Sequence, residues 1–231
     1  MSKKDPRQAR SDRDVLDNLG ALIGGQIKKG RNKLSEMVAD SKKKKGHEGK
    51  FMGYVKVFLD DKGVAAVTPS SKYLVERVIK AMDLEHSKVI VEYGAAQGVM
   101  TRRILQKMRP DAKLIAVEFN KELYDELAAT LIDPRMIAVR GDVREIDKIL
   151  AQHGVSQADV IISGVPFAFF SGRGRHELLS KTVELLRPGG RFVPYQVTTH
   201  LITMLKEYFR EVDTQFEVLN IPPHFVFTAI K

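Results

Sequence analysis

The sequence predicts an α/β fold: a mostly parallel sheet of seven strands, covered by helices on both faces and ending in an antiparallel last strand. Short, continuous apolar runs alternate with helical patterns after Gly63, which is typical of parallel strands that are buried on both faces. The last two apolar runs are joined only by residues 221–223. Because so short a connection holds no crossover helix, these two strands are expected to form an antiparallel hairpin at the edge of the sheet.

The elements follow one another in a regular order. Strands are predicted at residues 88–93, 112–119, 135–141, 158–164, 191–197, 215–220 and 224–230. Helical periodicity fills the gaps after the first five strands, at residues 100–108, 121–131, 145–153, 175–186 and 199–209. A further helix is predicted to begin at Lys72, capped by the serines before it.

Composition narrows the class of protein. The chain has 231 residues, of which 43% are hydrophobic, enough to form a sizeable core. The sequence contains no cysteine, which excludes disulfides, thiolate metal sites and cysteine nucleophiles. No apolar run approaches the ~20 residues that span a bilayer, and no signal-peptide core follows the first residues. We therefore expect a cytoplasmic protein, associated at most peripherally with the cytoplasmic membrane.

The positive charge is concentrated at one end of the chain. Residues 1–50 hold 14 Lys/Arg and 7 Asp/Glu, whereas the whole chain has a net charge of +9. Apolar residues recur at three- and four-residue steps from Asp14 to Val38, and residues 51–59 suggest a second, short apolar-faced helix. We interpret residues 1–50 as a basic, partly amphipathic extension of a domain at 51–231. Such an extension binds nucleic-acid phosphate or an anionic lipid surface, or is simply a solvated tail.

A small-residue loop follows the first strand. Glu92, Gly94, Ala96 and Gly98 lie in an ExGxxxG pattern that opens directly into a helix. Ligands of such sheets bind beyond the carboxyl ends of the strands, where the strand order reverses. A dinucleotide fingerprint is missing, because Ala96 and Val99 occupy two of its glycine positions. The loop therefore disfavours a nicotinamide or flavin enzyme.

Acidic residues end the next two strands. Glu118, followed by Phe119, closes the second strand 20 residues beyond the loop, where a carboxylate can accept hydrogen bonds from a ribose diol. Asp142 follows the third strand between Gly141 and Val143, and is placed to accept from an exocyclic amino group such as adenine N6. Each residue alone is also explained as a turn or helix-cap residue. Together they favour adenosine binding.

These features resemble the class I S-adenosylmethionine-dependent methyltransferases over residues 50–231. The motifs that carry the resemblance are residues 92–98, Glu118, Asp142 and Ser163-Gly164-Val165-Pro166. Within that class, the chain is similar to bacterial phospholipid N-methyltransferases in three segments: AVTPSS at 66–71, SGVP at 163–166 and NIPP at 220–223.

The resemblance implies a Rossmann-like fold, S-adenosylmethionine as cofactor and S-adenosylhomocysteine as product. It also implies stepwise methylation of the amine of phosphatidylethanolamine toward phosphatidylcholine at the membrane surface, and related enzymes methylate ornithine lipids. Ala96 departs from the middle glycine that the family often retains, which bears on cofactor affinity. The implied cofactor-binding residues are Ser70, Ser71, Glu92, Gly94, Ala96, Gly98, Glu118, Phe119, Gly141, Asp142, Val143 and Ser163.

Two other functions stay open. The rRNA adenine dimethyltransferases share the segment from Ser71 to Gly98, but they carry an asparagine that holds the target amino group where this chain has Gly164; Phe167 retains their stacking aromatic. The basic extension would then hold RNA phosphate. The second alternative, suggested by Ala96, is a degenerate fold that binds a partner without catalysis.

Substrate and proton-transfer residues are expected around the same edge of the sheet. The apolar run after Pro166 suggests a place for acyl chains, and a base could assist deprotonation of the amine. No metal is expected, because the remaining histidines lack ligand spacing. The candidate substrate-binding residues are Thr68, Gly164, Pro166, Phe167, Phe169 and Phe170, and the candidate bases are Tyr54, Tyr73, Tyr195 and His200.

Overall fold

The computed structural model describes residues 70–220 and 222–231. Its helices are α1 (Lys72–Met82), α2 (Val99–Lys107), α3 (Lys121–Thr130), α4 (Ile146–Gln152), α5 (Gly172–Leu185) and α6 (Leu201–Tyr208). Its strands are β1 (Val89–Tyr93), β2 (Lys113–Glu118), β3 (Met136–Arg140), β4 (Ala158–Ser163), β5 (Leu186–Gln196), β6 (Glu211–Glu217) and β7 (His224–Ile230). Short 3₁₀ turns at Leu84–His86, Val143–Glu145 and Phe167–Phe169 complete the connections.

The seven strands form one sheet in the order β3-β2-β1-β4-β5-β7-β6. The first five pair in parallel, and β7 lies between β5 and β6, antiparallel to both. The predicted fold class, including the antiparallel last strand, is confirmed. The chain moves outward from β1 to β3 and then returns to place β4 on the other side of β1. Sheets of this type bind ligands at that reversal.

Two predicted strands differ from the structure. The sixth strand runs over Glu211–Glu217 instead of 215–220. It is an edge strand with an alternating and largely exposed sequence, so it lacks the apolar run that marks the buried strands. The apolar residues Val218 and Leu219 lie beyond its end and are each 57% exposed. The fifth strand begins at Leu186, five residues before the predicted start, with a register shift against β4.

The helix before the sheet shows how the sequence sets these elements. Ser71 caps α1, because its side chain accepts a hydrogen bond from the Leu74 amide. Residues at three- and four-residue steps then bury one face of α1 in the core shared with β1, β4 and β5. Each fully buried aliphatic side chain contributes about 1.5–3 kcal/mol. The α1 N-terminus is further held by the Asn220 side chain, whose Oδ1 accepts from the Ser71 amide at 2.7 Å.

Candidate active site

The candidate site lies where β1 and β4 separate at the carboxyl edge of the sheet. The Gly164 amide donates to the Tyr93 carbonyl at 3.1 Å, so the segment after β4 starts beside the end of β1. The amides of Gly94 and Ala95 both donate to the Val117 carbonyl of β2, at 2.9 and 3.2 Å. The loop after β1 is therefore tied to the strands on both of its sides.

Three residues of this loop have left-handed backbone. Gly94, Ala96 and Gly98 have φ angles of 75°, 47° and 76°. A Cβ on Gly94 would lie 2.7 Å from a Val165 methyl group, and a Cβ on Gly98 would lie 2.7 Å from a Leu127 methyl group. Glycine is thus needed at both positions for conformation and for space. Ala96 carries its side chain in a conformation that L residues rarely adopt.

Glu118 fastens the loop to the end of β2. Its side chain is 7% exposed, and its two carboxylate oxygens accept hydrogen bonds from the Ala96 amide at 2.8 Å and the Asn120 amide at 2.9 Å. Each oxygen of a carboxylate has two lone pairs. The residue can therefore hold the loop and still accept from a ligand diol.

The carboxylate of Asp142 is hydrogen-bonded to the guanidinium of Arg144, a contact that the sequence did not predict. Its Oδ1 accepts from the Arg144 amide at 2.9 Å, and its Oδ2 accepts from the Arg144 guanidinium. The predicted capping role is confirmed. Since Arg144 covers Oδ2, an adenine amino group would have to share Oδ1 with this cap.

Glu92 is buried and hydrogen-bonded to the helix that follows the loop. It is 2% exposed, and its Oε2 accepts from the Thr101 hydroxyl of α2 at 2.7 Å. Burial, followed by the nearby charge of Glu118, raises the pKa of Glu92 to about 7. Its carboxyl group therefore titrates near neutral pH, and its visible contact is with the helix that follows the loop.

The other expected cofactor residues are all at least half-buried. Ser70 and Phe119 are half-buried, Gly141 follows β3 and donates its amide to the Glu118 carbonyl at 3.0 Å, and Val143 is buried. Ser163 is fully buried, and its hydroxyl accepts from the Val165 amide at 3.3 Å.

The expected apolar surface after Pro166 is smaller than predicted. Phe167 and Phe170 are 3% and 5% exposed, and Phe167 packs on Phe192 of β5 with ring centroids 6.0 Å apart. These two rings belong to the core, because the 3₁₀ turn aims them back at the sheet. Phe169 is half-buried. Two of the aromatic residues after Pro166 are therefore core residues, and the acyl-chain site expected in this run stays a prediction.

The structure places only one of the described candidate bases at the junction of β1 and β4. Tyr195 lies near the end of β5, with its hydroxyl 2.6 Å from the point where a Cβ on Gly164 would lie. Tyr73 is 47% exposed on α1, with the Lys72 ammonium 5.1 Å from its ring centroid, and His200 is exposed before α6. Tyr54 and Thr68 lie outside the described residues.

Three side chains that shape the site are absent from the site residues predicted from the sequence. Thr101 hydrogen-bonds Glu92, Asn120 caps α3 and directs its amide at Glu118, and Asn220 joins the hairpin turn to α1. An asparagine two residues after a strand-ending acid, before a helical run, is a cap signal that could have identified Asn120. The partners of Thr101 and Asn220 depend on tertiary packing.

Three features define the architecture of a class I methyltransferase: the strand order, the loop after β1 with left-handed Gly94 and Gly98, and Glu118 at the end of β2. Residues 90–190 match the methyltransferase domain family. Among solved structures, the N-methyltransferase NodS from Bradyrhizobium japonicum, in complex with S-adenosylhomocysteine, aligns with a TM-score of 0.59 at 12% identity, covering 79% of this chain and 98% of that one. The 1,6-didemethyltoxoflavin-N1-methyltransferase of Burkholderia thailandensis aligns with a TM-score of 0.58 at 20% identity, covering 78% and 86%. These likenesses concern the fold.

Sequence relatives define the family. The chain is 30% identical over 177 residues to an ornithine lipid N-methyltransferase from Singulisphaera acidiphila, which covers 75% of this chain and 90% of the relative. It is 33% identical over 95 residues to ribosomal RNA small subunit methyltransferase A from Parasynechococcus marenigrum, over 41% of this chain and 30% of the relative. The chain belongs to the class I S-adenosylmethionine-dependent methyltransferases, and it is an N-methyltransferase.

The site fits the cofactor of this family, S-adenosylmethionine. The loop lies at the carboxyl edge of the sheet, where the strand order reverses beside β1, and Glu118 at the end of β2 has lone pairs left for a diol. Within residues 70–220 and 222–231, no helix combines the length and apolar character that a membrane span requires.

Proposed function

We propose that this enzyme transfers methyl groups to the primary amine of a membrane-lipid headgroup, either an ornithine lipid or phosphatidylethanolamine. The observation that carries the proposal is the extent of the sequence likeness: it spans 90% of the lipid N-methyltransferase but 30% of the rRNA enzyme. Gly164 supports it, because a glycine cannot hold a base amino group through a side chain. The name of the relative favours an ornithine lipid, and the resemblance of the three segments favours phosphatidylethanolamine.

The residues around the loop would hold the cofactor by its separate parts. Glu118 would accept from the ribose hydroxyls, Asp142 from the adenine amino group, and the Gly94 backbone would lie against the methionine part. Ser70 and Ser71, at the start of α1, would hydrogen-bond the methionine carboxylate. When bound, S-adenosylmethionine supplies an electrophilic methyl group carried by a sulfonium.

The chain's own contribution is orientation and exclusion of water. Attack on a sulfonium methyl group needs a neutral amine in line with the bond that breaks, and no covalent nucleophile. The buried rings of Phe167 and Phe170 form an apolar wall behind the segment that follows β4. An amine held near such a wall, away from water, has a lowered pKa, because burial disfavours its charged form.

A second candidate substrate is adenine N6 in rRNA. The local likeness to the rRNA methyltransferase favours it. The ring of Phe167 does not, because it is 3% exposed and packs on Phe192 in the core. Against it, the space beside Gly164 is filled by the Tyr195 hydroxyl.

Incubation of the full chain with methyl-labelled S-adenosylmethionine tests both substrates. The parallel reactions contain vesicles with ornithine lipid, vesicles with phosphatidylethanolamine, vesicles of phosphatidylcholine alone, and rRNA. We expect label in one or both amine lipids and none in phosphatidylcholine, whose quaternary nitrogen has no proton to replace. Label in rRNA alone would overturn the proposal.

We further propose that the basic extension brings the enzyme to an anionic membrane surface. Each lysine near such a surface contributes about 1 kcal/mol. Changing Lys42–Lys45 to glutamate in the full chain should therefore strongly reduce co-sedimentation with anionic vesicles. A control variant changes four exposed lysines of the described domain to glutamate, and it should bind as before: Lys80, Lys107, Lys148 and Lys206. Equal loss of binding in both variants would contradict a special role of the extension.

A further inference from the structure

Gly164 and Tyr195 occupy one space between them. A Cβ on Gly164 would lie 2.6 Å from the Tyr195 hydroxyl oxygen, 3.1 Å from its Cζ and 3.6 Å from the Gly94 carbonyl oxygen. Contacts below 3.0 Å are not found for real Cβ atoms. The tyrosine in this orientation therefore excludes any side chain at position 164. Its hydroxyl lies where the first atom of that side chain would be.

The fold does not otherwise account for this hydroxyl. Within residues 70–220 and 222–231 it makes no hydrogen bond, whereas the comparable hydroxyl of Tyr93 is 3.4 Å from the Thr182 hydroxyl. The Tyr195 ring packs beside His224, with centroids 6.3 Å apart, so packing holds the ring without using its polar atom. A half-buried hydroxyl that has no hydrogen-bond partner among the described residues, at the carboxyl edge between β1 and β4, is available to a ligand.

Burial and nearby charge determine whether the Tyr195 hydroxyl can act as a base. Burial, and then the charge of Glu92, raises the pKa of Tyr195 well above its usual value. The facing histidine adds no positive charge, because burial lowers the pKa of His224. The phenol therefore keeps its proton, and Tyr195 does not serve as the general base. Its oxygen can still accept a hydrogen bond from an N–H group.

We propose that the Tyr195 hydroxyl, which fills the space beside Gly164, accepts a hydrogen bond from the substrate amine and orients its nitrogen lone pair. The inference rests on the proposed function, and it specifies a small tetrahedral amine instead of a planar base. In the reaction the N–C bond forms as the C–S bond breaks. S-adenosylhomocysteine leaves as a neutral thioether, and the ammonium product releases its proton to water.

The test is Tyr195→Phe in the full chain, with Tyr208→Phe as a matched control. The control removes the same hydroxyl group, which in Tyr208 lies 2.8 Å from His176 Nδ1 at a contact between α5 and α6. We expect Tyr195→Phe to bind S-adenosylhomocysteine as the wild type does, and to methylate lipid with kcat reduced about 10- to 100-fold and KM little changed, since orientation is lost more than binding. Unchanged kcat would overturn the inference.

Gly164→Ala supplies a second measurement that a merely structural role would not reproduce. The added Cβ should lower both thermal stability and activity, and Tyr195→Phe in the same chain should restore much of the stability without restoring kcat. Restoration of kcat in the double variant would overturn the inference. Failure of the proposed function looks different: the wild type itself would then label rRNA and leave lipid unlabelled, which overturns both.

Discussion

Replacing Glu118 with glutamine removes one of the two acceptors that its carboxylate presents to the loop. The carboxylate accepts from the amides of Ala96 and Asn120 at 2.8 and 2.9 Å. Glutamine has a single acceptor oxygen, so its NH₂ group would face one of these two amides. A hydrogen bond to a charged acceptor contributes about 1.5–3 kcal/mol. The free energy of unfolding should therefore fall by about that amount.

The same change should weaken cofactor binding. If the carboxylate also accepts from the ribose diol, losing one such bond costs about 1.5–3 kcal/mol, which corresponds to a Kd for S-adenosylhomocysteine raised about 10- to 100-fold. Calorimetry measures the Kd, and urea denaturation measures the stability. Glu126→Gln, which removes the same charge from an exposed position on α3, should change neither. A Kd for Glu118→Gln within about twofold of the wild type would refute the ribose assignment.

Three further predictions concern the loop and its surroundings. Ala96→Gly should raise the free energy of unfolding by about 1 kcal/mol, because it relieves left-handed strain; a lower value in urea denaturation would contradict this. Gly98→Ala should lower it by about 2–4 kcal/mol through strain and the 2.7 Å approach to Leu127, whereas Gly154→Ala, which has left-handed φ but nothing within 4 Å, should show strain alone. Because folding raises the pKa of Glu92 from 4.5 to about 7, the folded state binds protons more tightly, and stability should fall between about pH 4.5 and 7 by at most about 3 kcal/mol and then level. Glu92→Gln should remove this part of the pH dependence. Urea denaturation of the wild type and the variant measures the free energy of unfolding at each pH, and parallel profiles for the two proteins would contradict the role of Glu92.

The strands that could be predicted are those whose burial leaves a mark on the sequence. β1, β2 and β4 lie inside a sheet covered on both faces, and their continuous apolar runs located them to within one or two residues. β6 lies at the edge of the sheet and alternates between half-buried and exposed residues. The apolar residues near it, Val218 and Leu219, lie beyond its end, so the apolar pattern predicts the strand too far along the chain. A prediction based on apolar runs fails where a strand has little to bury.

The candidate site likewise contains contacts that the sequence could predict and contacts that it could not. The closeness of the glycine loop to Glu118 follows from parallel pairing of neighbouring strands, which the sequence order implied. The ion pair of Asp142 with Arg144 competes for an acceptor that was assigned to a ligand. The burial of Phe167 depends on which way one 3₁₀ turn faces, and the contact between Gly164 and Tyr195 joins two strands through side-chain packing. No spacing in the sequence encodes these three contacts.

Ala96 is the one residue of the sequence that suggests a degenerate, non-catalytic fold. Left-handed backbone costs an alanine about 1–2 kcal/mol relative to the right-handed form. In that conformation, however, its amide donates to the buried Glu118 carboxylate at 2.8 Å, and a hydrogen bond to a charged acceptor contributes about 1.5–3 kcal/mol. The interaction is large enough to offset the strain, so the loop holds its shape without a glycine at this corner. The departure from the family pattern therefore marks a modest loss of stability, and it is no argument against cofactor binding.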